Sequence, residues 1–177
     1  MAKNAFWNEA SRCGAIVGLV NVAFELGKMS VPSIAFVLGL ANFVVTIYLL
    51  WRFASRRAKS FGNEGFTYGQ SLGFIVAMGI FAGIITGAYQ ILASNFLFVD
   101  KYEEVYNTLI ATYSQMGMID NATMASMSKI YRAMFFSPIW VLITNIASGA
   151  LGYGFYGLFI SIGAKRDPDM FDSSDEE

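Results

Sequence analysis

The sequence contains no histidine and a single cysteine, Cys13. Without histidine, the chain lacks the commonest general base and the commonest metal ligand of proteins. One cysteine cannot close a disulfide within the chain, and a lone thiol in an apolar helix is typical of a small packing residue. We therefore expect no metal site, no cofactor and no catalysis that uses an imidazole or a thiolate.

Three enzyme motifs are also missing from the sequence. It contains no HExxH zinc motif, no GxSxG nucleophile motif and no Walker phosphate-binding loop. Carboxylates alone can do acid–base work, but only Glu25 lies within a long apolar segment. The formal net charge of −1 argues against a nucleic-acid partner, since proteins that bind nucleic acid normally show a basic face. We predict that the protein is not an enzyme and has no nucleic-acid partner.

Charge is scarce, and its distribution predicts the fold. Charged residues make up 14% of the chain, against about 25% in soluble domains. Segments 65–99 and 133–164 carry no charged side chain, and neither do 13–24 and 29–51. A helix that crosses a bilayer core needs about 20 apolar residues. The sequence therefore predicts an all-α integral membrane protein with four transmembrane helices, at about 11–29, 34–51, 68–97 and 138–164.

The segments outside these spans have distinct roles in the prediction. Phe6 and Trp7 suit a short interfacial helix over residues 1–10. Glu25 lies where a signal-peptide cleavage motif would be expected, so we predict that the first span is not cleaved off as a signal peptide. Segment 100–136 is hydrophilic, with Tyr102, Val105 and other apolar residues at helical spacing. It is predicted to form two amphipathic helices against the membrane or over the mouth of the bundle.

The cations indicate the orientation of the chain. Eight of the twelve fall on one predicted side of the membrane: Lys3, Arg12, Arg52, Arg56, Arg57, Lys59, Lys165 and Arg166. The positive-inside rule then predicts that loop 52–67, both termini and the acidic tail 165–177 are cytoplasmic. The amphipathic pair in 100–136 would be extracytoplasmic.

Polar residues within the apolar spans are the candidate functional site. On the first span Asn21, Glu25 and Lys28 lie on the same helical stripe as Gly14 and Gly18. The complete candidate intramembrane polar cluster is Asn21, Glu25, Lys28, Asn42, Thr46, Gln90 and Asn145. Two interpretations stay open. Glu25 is either a proton or cation site or one half of an interfacial ion pair with Lys28, and the amides either form a site or simply join helices by hydrogen bonds.

Small residues recur on the spans at intervals that favour close helix packing. The candidate helix-packing positions are Gly14, Gly18, Gly79, Gly83, Gly87, Gly149, Gly152 and Gly157. Such ridges let helices approach within the bundle or between subunits, and they could also leave room for a lipid tail.

Several short patterns resemble a known family. These are Phe6-Trp7 followed by Gly14, the segment 66–70 (Phe-Thr-Tyr-Gly-Gln), Met116-Gly117, the segment 136–138 (Phe-Ser-Pro) and Lys165-Arg166. Together they resemble the bacterial four-span membrane proteins catalogued as domain of unknown function 4199. The resemblance implies a role in the cell envelope, and it supplies no established activity and no catalytic residues.

Two hypotheses for function follow. The first is a non-enzymatic accessory or scaffold subunit of a membrane complex in the bacterial inner membrane, which binds another membrane protein through the amphipathic pair. The alternative is a small oligomeric transporter or flippase for a lipid-linked or small polar substrate, with the polar cluster as its path. In both, the partners are membrane lipids and another membrane protein or a second copy of the chain. The sequence does not identify the substrate, the partner or the oligomeric state.

Overall fold

In a computed structural model that describes residues 2–115 and 120–167, the chain folds into six α-helices. A 3₁₀ turn, Pro32–Ile34, joins the first two helices, and a second, Gly62–Glu64, follows the next helix. A π-helical turn, Ala93–Leu97, extends the third helix. The α-helices are α1 Ala2–Ser30, α2 Ala35–Ser60, α3 Tyr68–Leu92, α4 Val99–Gln115, α5 Asn121–Phe136 and α6 Pro138–Ala164.

Four of these segments are long and apolar enough to cross a membrane, which indicates a multi-pass membrane protein. They are Ala5–Ser30, Pro32–Ser60, Tyr68–Leu97 and Pro138–Ala164. The predicted all-α class and the four span-forming helices are therefore confirmed. Helices α4 and α5 lie between the last two spans, and the extracytoplasmic location of this pair stays a prediction.

Helix α1 starts nine residues before the predicted span, at Ala2. Residues 2–10 are thus the first turns of α1 and not a separate interfacial helix. Ala10 is fully buried, and the ring of Phe6 lies 6.0 Å from that of Phe74 on α3, centroid to centroid. The apolar contact with α3 continues along this segment, and the helix continues with it.

Helix α2 likewise extends through the basic segment that was predicted as a loop. It ends at Ser60, so most of segment 52–67 is helical. Arg57 is buried there, forms an ion pair with Glu9 of α1, and lies over the rings of Phe6 and Phe74, 5.0 and 4.8 Å from their centroids. The ion pair and the aromatic contacts offset the cost of burying the Arg57 cation on this helix.

Helix α3 is the central element, and it packs most extensively on α6 and α1. A Cβ added at Gly79 would lie within 3.0 Å of the backbone of Gly149, and one added at Gly83 would lie 2.5 Å from the carbonyl oxygen of Asn145. The backbones of α3 and α6 therefore touch, as the small-residue ridges predict.

The other predicted packing glycines lie along the same helix interfaces, with one exception. Gly14 and Gly18 face α3, where an added Cβ would lie 2.5 Å from the carbonyl oxygen of Met78 and 2.8 Å from Cβ of Ile85. Gly87 and Gly157 have neighbours from 3.0 to 3.1 Å away. At Gly152 no atom lies within 4 Å of the added Cβ, so the predicted packing role of Gly152 within this chain is wrong.

The chain segments before α3 and after α6 pair with each other. Phe66 and Arg166 exchange backbone hydrogen bonds of 2.8 and 2.9 Å, which joins the two chain segments at one end of the bundle. Thr67 and Gln70 then form a capping box that starts α3. Two parts of the sequence analysis, Met116-Gly117 and the acidic tail after Asp167, lie outside the described residues.

Candidate functional site

A polar cavity of about 400 Å³ lies among α1, α2, α3, α4 and α6. Five of the seven residues of the predicted polar cluster line it, although they come from four different helices. Four further side chains complete the wall. The full lining is Asn21, Glu25, Met29, Asn42, Thr86, Tyr89, Gln90, Tyr102 and Asn145.

One side of the cavity is held by hydrogen bonds among three helices. The amide nitrogen of Asn21 on α1 donates to the hydroxyl of Tyr153 on α6. The hydroxyl of Thr46 on α2 donates to Oδ1 of Asn21 at 3.0 Å, and lies 3.5 Å from Oδ1 of Asn42. Thr46 therefore orients the amides and does not line the cavity itself.

The opposite side is held by one amide pair between α3 and α6. Nδ2 of Asn145 donates to Oε1 of Gln90 at 2.8 Å, and also to the backbone oxygen of Val141 at 2.8 Å. Both amide hydrogens of Asn145 are thereby used. Asn145 lies where Gly83 and Gly87 let α6 approach α3 closely, so the glycine contacts and the cavity belong to the same helix interface.

Tyr89 adds an unpaired polar group to the cavity wall. Its hydroxyl is buried and has no hydrogen-bond partner among residues 2–115 and 120–167. Buried hydroxyls in native proteins nearly always find a partner, and an orphan one indicates a bound water or ligand. The hydroxyl of Tyr89 is therefore available to a molecule in the cavity.

Tyr102 brings a second tyrosine to the cavity from α4, outside the spans. Burial raises the pKa of its hydroxyl to about 12, with smaller contributions from Tyr89 and Glu25. The hydroxyl is consequently a neutral hydrogen-bond donor across the physiological pH range. The sequence analysis placed Tyr102 on the amphipathic pair, and its approach to the spans depends on how α4 folds back.

Glu25 provides the carboxylate of the cavity, and it also pairs with Lys28. Nζ of Lys28 donates to Oε1 of Glu25, and the Glu25 side chain keeps 37% exposure. Lys28 does not line the cavity, which corrects its place in the predicted cluster. The ion pair with Lys28 is present, and a proton or cation role for Glu25 stays a prediction.

Lys28 instead lines a neighbouring groove of about 700 Å³ between the end of α1 and the α4–α5 pair. This groove is mainly apolar, with Val105, Leu109 and Phe135 on its walls. Lys101 also lines it, and Nζ of Lys101 donates to the backbone oxygen of Met29, which ties α4 to the end of α1.

The lining of the cavity has the chemistry of a candidate binding site. Among the described residues no group of three or more histidine, cysteine, aspartate or glutamate side chains could hold a metal ion. The cavity offers amide groups, phenol hydroxyls and one carboxylate, which suit a hydrogen-bonding solute. Sequence reasoning identified the amides and the carboxylate. It missed Met29, Tyr102 and Tyr153 as contributors to the site, because nothing in their local pattern marks them as site residues.

The chain belongs to the family described as protein of unknown function (DUF4199), which it matches over residues 12–164. No curated protein and no solved structure matches it. Because the family has no assigned activity, the function has to be argued from the cavity.

Proposed function

We propose that this member of the DUF4199 family is a small membrane transport protein that binds a small polar amine in the cavity between its spans. The observation that carries the proposal is the convergence of Asn21, Glu25, Asn42, Gln90 and Asn145 on one cavity within an otherwise apolar bundle. Polar groups at such a position are costly in a membrane, and they commonly mark substrate pathways.

The chemistry of the lining favours an amine. Glu25 supplies a carboxylate for a charge-assisted hydrogen bond to an ammonium group. The rings of Tyr89 and Tyr102 add π faces, which attract cations. The amide oxygens accept further hydrogen bonds, and the volume of about 400 Å³ suits a small solute.

The proposal includes a location and an orientation. We place the protein in the bacterial inner membrane with both termini cytoplasmic and the α4–α5 pair outside. The clustering of eight of the twelve cations supports this assignment through the positive-inside rule. In that orientation the cavity lies toward the outer side, since Tyr102 of α4 forms part of its wall.

Uptake of radiolabelled ethanolamine into proteoliposomes tests the function. The wild-type protein should show saturable uptake, and Glu25→Gln should reduce the affinity about tenfold or more, because it removes a charge-assisted hydrogen bond. Glu104→Gln is the matched control: Glu104 is an exposed carboxylate that lines the neighbouring groove and not the cavity. No uptake by the wild-type protein, or equal uptake by Glu25→Gln, would overturn the proposal.

A second candidate is an accessory subunit of an envelope complex, and the apolar groove favours it. Val105, Leu109 and Phe135 would accept an apolar segment of another membrane protein. Stoichiometric co-purification of a membrane partner should then be lost in Leu109→Arg and kept in Glu25→Gln. Purification of the wild-type protein alone, as a defined oligomer, would contradict this role.

A further inference from the structure

We infer that the end of the molecule where α2 and α6 finish carries a second binding site, for the phosphate headgroup of an anionic phospholipid. Two adjoining hollows, of about 410 and 250 Å³, share Trp51, Ser55 and Lys59. The larger is lined by Trp51, Arg52, Phe53, Ser55, Arg56 and Lys59, and the smaller by Trp51, Ser55, Ala58, Lys59, Gly163, Ala164 and Arg166.

The charge of this surface is all of one sign. Arg52, Arg56, Lys59 and Arg166 are exposed cations, and among residues 2–115 and 120–167 no carboxylate lines either hollow. None of the four forms an ion pair within the described part of the chain, whereas the nearby Arg57 is buried and paired. The α2 cations recur at i, i+4 and i+7, so they lie on one face of the helix.

The guanidinium of Arg52 remains able to bind a phosphate. Nη1 of Arg52 donates to the hydroxyl of Tyr48 at 3.1 Å, which uses one of the five donor hydrogens of the group and holds the side chain against α2. An arginine guanidinium can donate two parallel hydrogen bonds to two oxygens of one phosphate. Several cations around one hollow bind phosphate more strongly than one alone.

The surface next to the hollows favours a lipid over a soluble anion. Val44, Tyr48 and Trp51 lie on the same face of α2 as Ser55, and they are 63%, 50% and 50% exposed. An acyl chain can lie along Val44, while Tyr48 and Trp51 suit the headgroup level. Basic hollows between transmembrane helices on the positive side of a membrane are typical sites for anionic headgroups.

This site is separate from the polar cavity and goes beyond the proposed transport function. The cavity lies among Glu25, Gln90 and Tyr102, whereas the hollows lie at the last turns of α2 and α6. The lipid site can fail its test while uptake of ethanolamine persists, and the reverse is equally possible.

Native mass spectrometry of the full-length, delipidated protein tests the site. The probes are dioleoyl phosphatidylglycerol and dioleoyl phosphatidylcholine, which differ only in the headgroup. The wild-type protein should bind the anionic lipid more tightly. The double variant Arg52→Gln, Arg56→Gln should bind the anionic lipid about thirtyfold more weakly, since each cation contributes about fivefold to the affinity. Its binding of phosphatidylcholine should be unchanged.

The matched control removes the same charge from the same end of the molecule. Arg12→Gln with Lys165→Gln changes two exposed cations that line neither hollow. Binding of phosphatidylglycerol by this control should stay within about twofold of wild type, since charges outside the site act only through screened attraction. Near-ultraviolet circular dichroism of both variants should match the wild-type spectrum, which establishes that they fold.

Four outcomes would overturn the inference. The first two are an equal loss of phosphatidylglycerol binding in the test and control variants, and no headgroup preference in the wild-type protein. The other two are tight binding of glycerol phosphate, which has no acyl chains, and occupation of the hollows by the acidic tail. The tail is tested by a variant in which its side-chain carboxylates become amides: D167N, D169N, D172N, D175N, E176Q and E177Q. Preference for phosphatidylglycerol that appears only in this variant assigns the hollows to the tail and not to a lipid.

Discussion

At the residue scale, the closest helix contact depends on the missing side chains of Gly79 and Gly149. Each lies against the backbone of the other, so that an added Cβ at either position would come within 3.0 Å of a backbone atom. A flexible side chain can rotate away from such a contact, but a backbone carbonyl cannot. These two residues, together with Gly83 and Gly87, set the separation of α3 and α6 and with it the position of Asn145 at the cavity.

Gly79→Ala should therefore destabilise the protein by about 1–3 kcal/mol, the usual range for overpacking, because α3 and α6 must move apart. Thermal unfolding in detergent, followed by circular dichroism, measures the effect. Gly152→Ala is the matched control, since an added Cβ at Gly152 has no neighbour within 4 Å. It should leave the stability unchanged or raise it slightly through helix propensity. Equal destabilisation by the two variants would contradict the assigned contact.

The residues of the cavity differ in how well the sequence predicts them. Asn21, Asn42 and Gln90 stand out because amides are rare in apolar spans, and a polar stripe on one helix needs a polar partner on another. Tyr153 does not stand out, because it lies mid-span close to other aromatic residues and its hydrogen bond to Asn21 depends on tertiary packing. The sequence does not show that Gly149 contacts α3 and Gly152 does not, because this depends on how α6 is rotated about its own axis.

At the element scale, helix α5 begins with a side-chain cap that depends on ionisation. Asp120 accepts a hydrogen bond from the backbone nitrogen of Thr123 at 3.3 Å. Hydrogen bonding to Thr123 lowers the pKa of Asp120 below its ordinary value of 3.8. A carboxyl group with a lowered pKa stabilises the folded state above its unfolded pKa, and that contribution is lost as the pH falls through the folded pKa.

Acidification below about pH 4 should consequently destabilise the first turn of α5, because the cap formed by ionised Asp120 is lost. The amide chemical shift of Thr123, followed by NMR from about pH 6 to about pH 2, should titrate with a midpoint below that of a free aspartate. Asp120→Asn is the control, because asparagine caps helices well and does not ionise in this range. A Thr123 shift that titrates identically in Asp120→Asn would rule out Asp120 as the titrating cap.

Helix existence was predictable from the sequence, and helix ends were less so. Long uncharged runs locate three of the four spans, because a helix that crosses a bilayer needs about 20 apolar residues in succession, and the first span has only the shorter run 13–24. The ends of α1 and α2 extend beyond those runs, since Glu9 and Arg57 pair across the two helices and are held among aromatic rings. The contact that turns a charged segment into buried helix involves residues 48 positions apart, which local pattern does not reveal.

At the scale of the whole molecule, the two ends of the bundle differ in charge and in the sites proposed for them. The start of α1, the end of α2 and the segment after α6 meet at one end, through the Glu9–Arg57 ion pair and the Phe66–Arg166 backbone pair. The other end carries the Glu25–Lys28 pair and the α4–α5 helices. The basic hollows lie at the first end, and the polar cavity lies nearer the second.

This polarity leads to a prediction about orientation, because cations concentrate on the cytoplasmic side of membranes. In a Cys13→Ala background, Ser60→Cys and Ser114→Cys introduce single thiols at exposed positions on α2 and α4. A membrane-impermeant maleimide applied to intact spheroplasts should label Ser114→Cys and not Ser60→Cys. Both should react after permeabilisation, which controls for accessibility. Labelling of Ser60→Cys alone would reverse the orientation, and it would place the basic hollows at the outer leaflet and the polar cavity toward the cytoplasm.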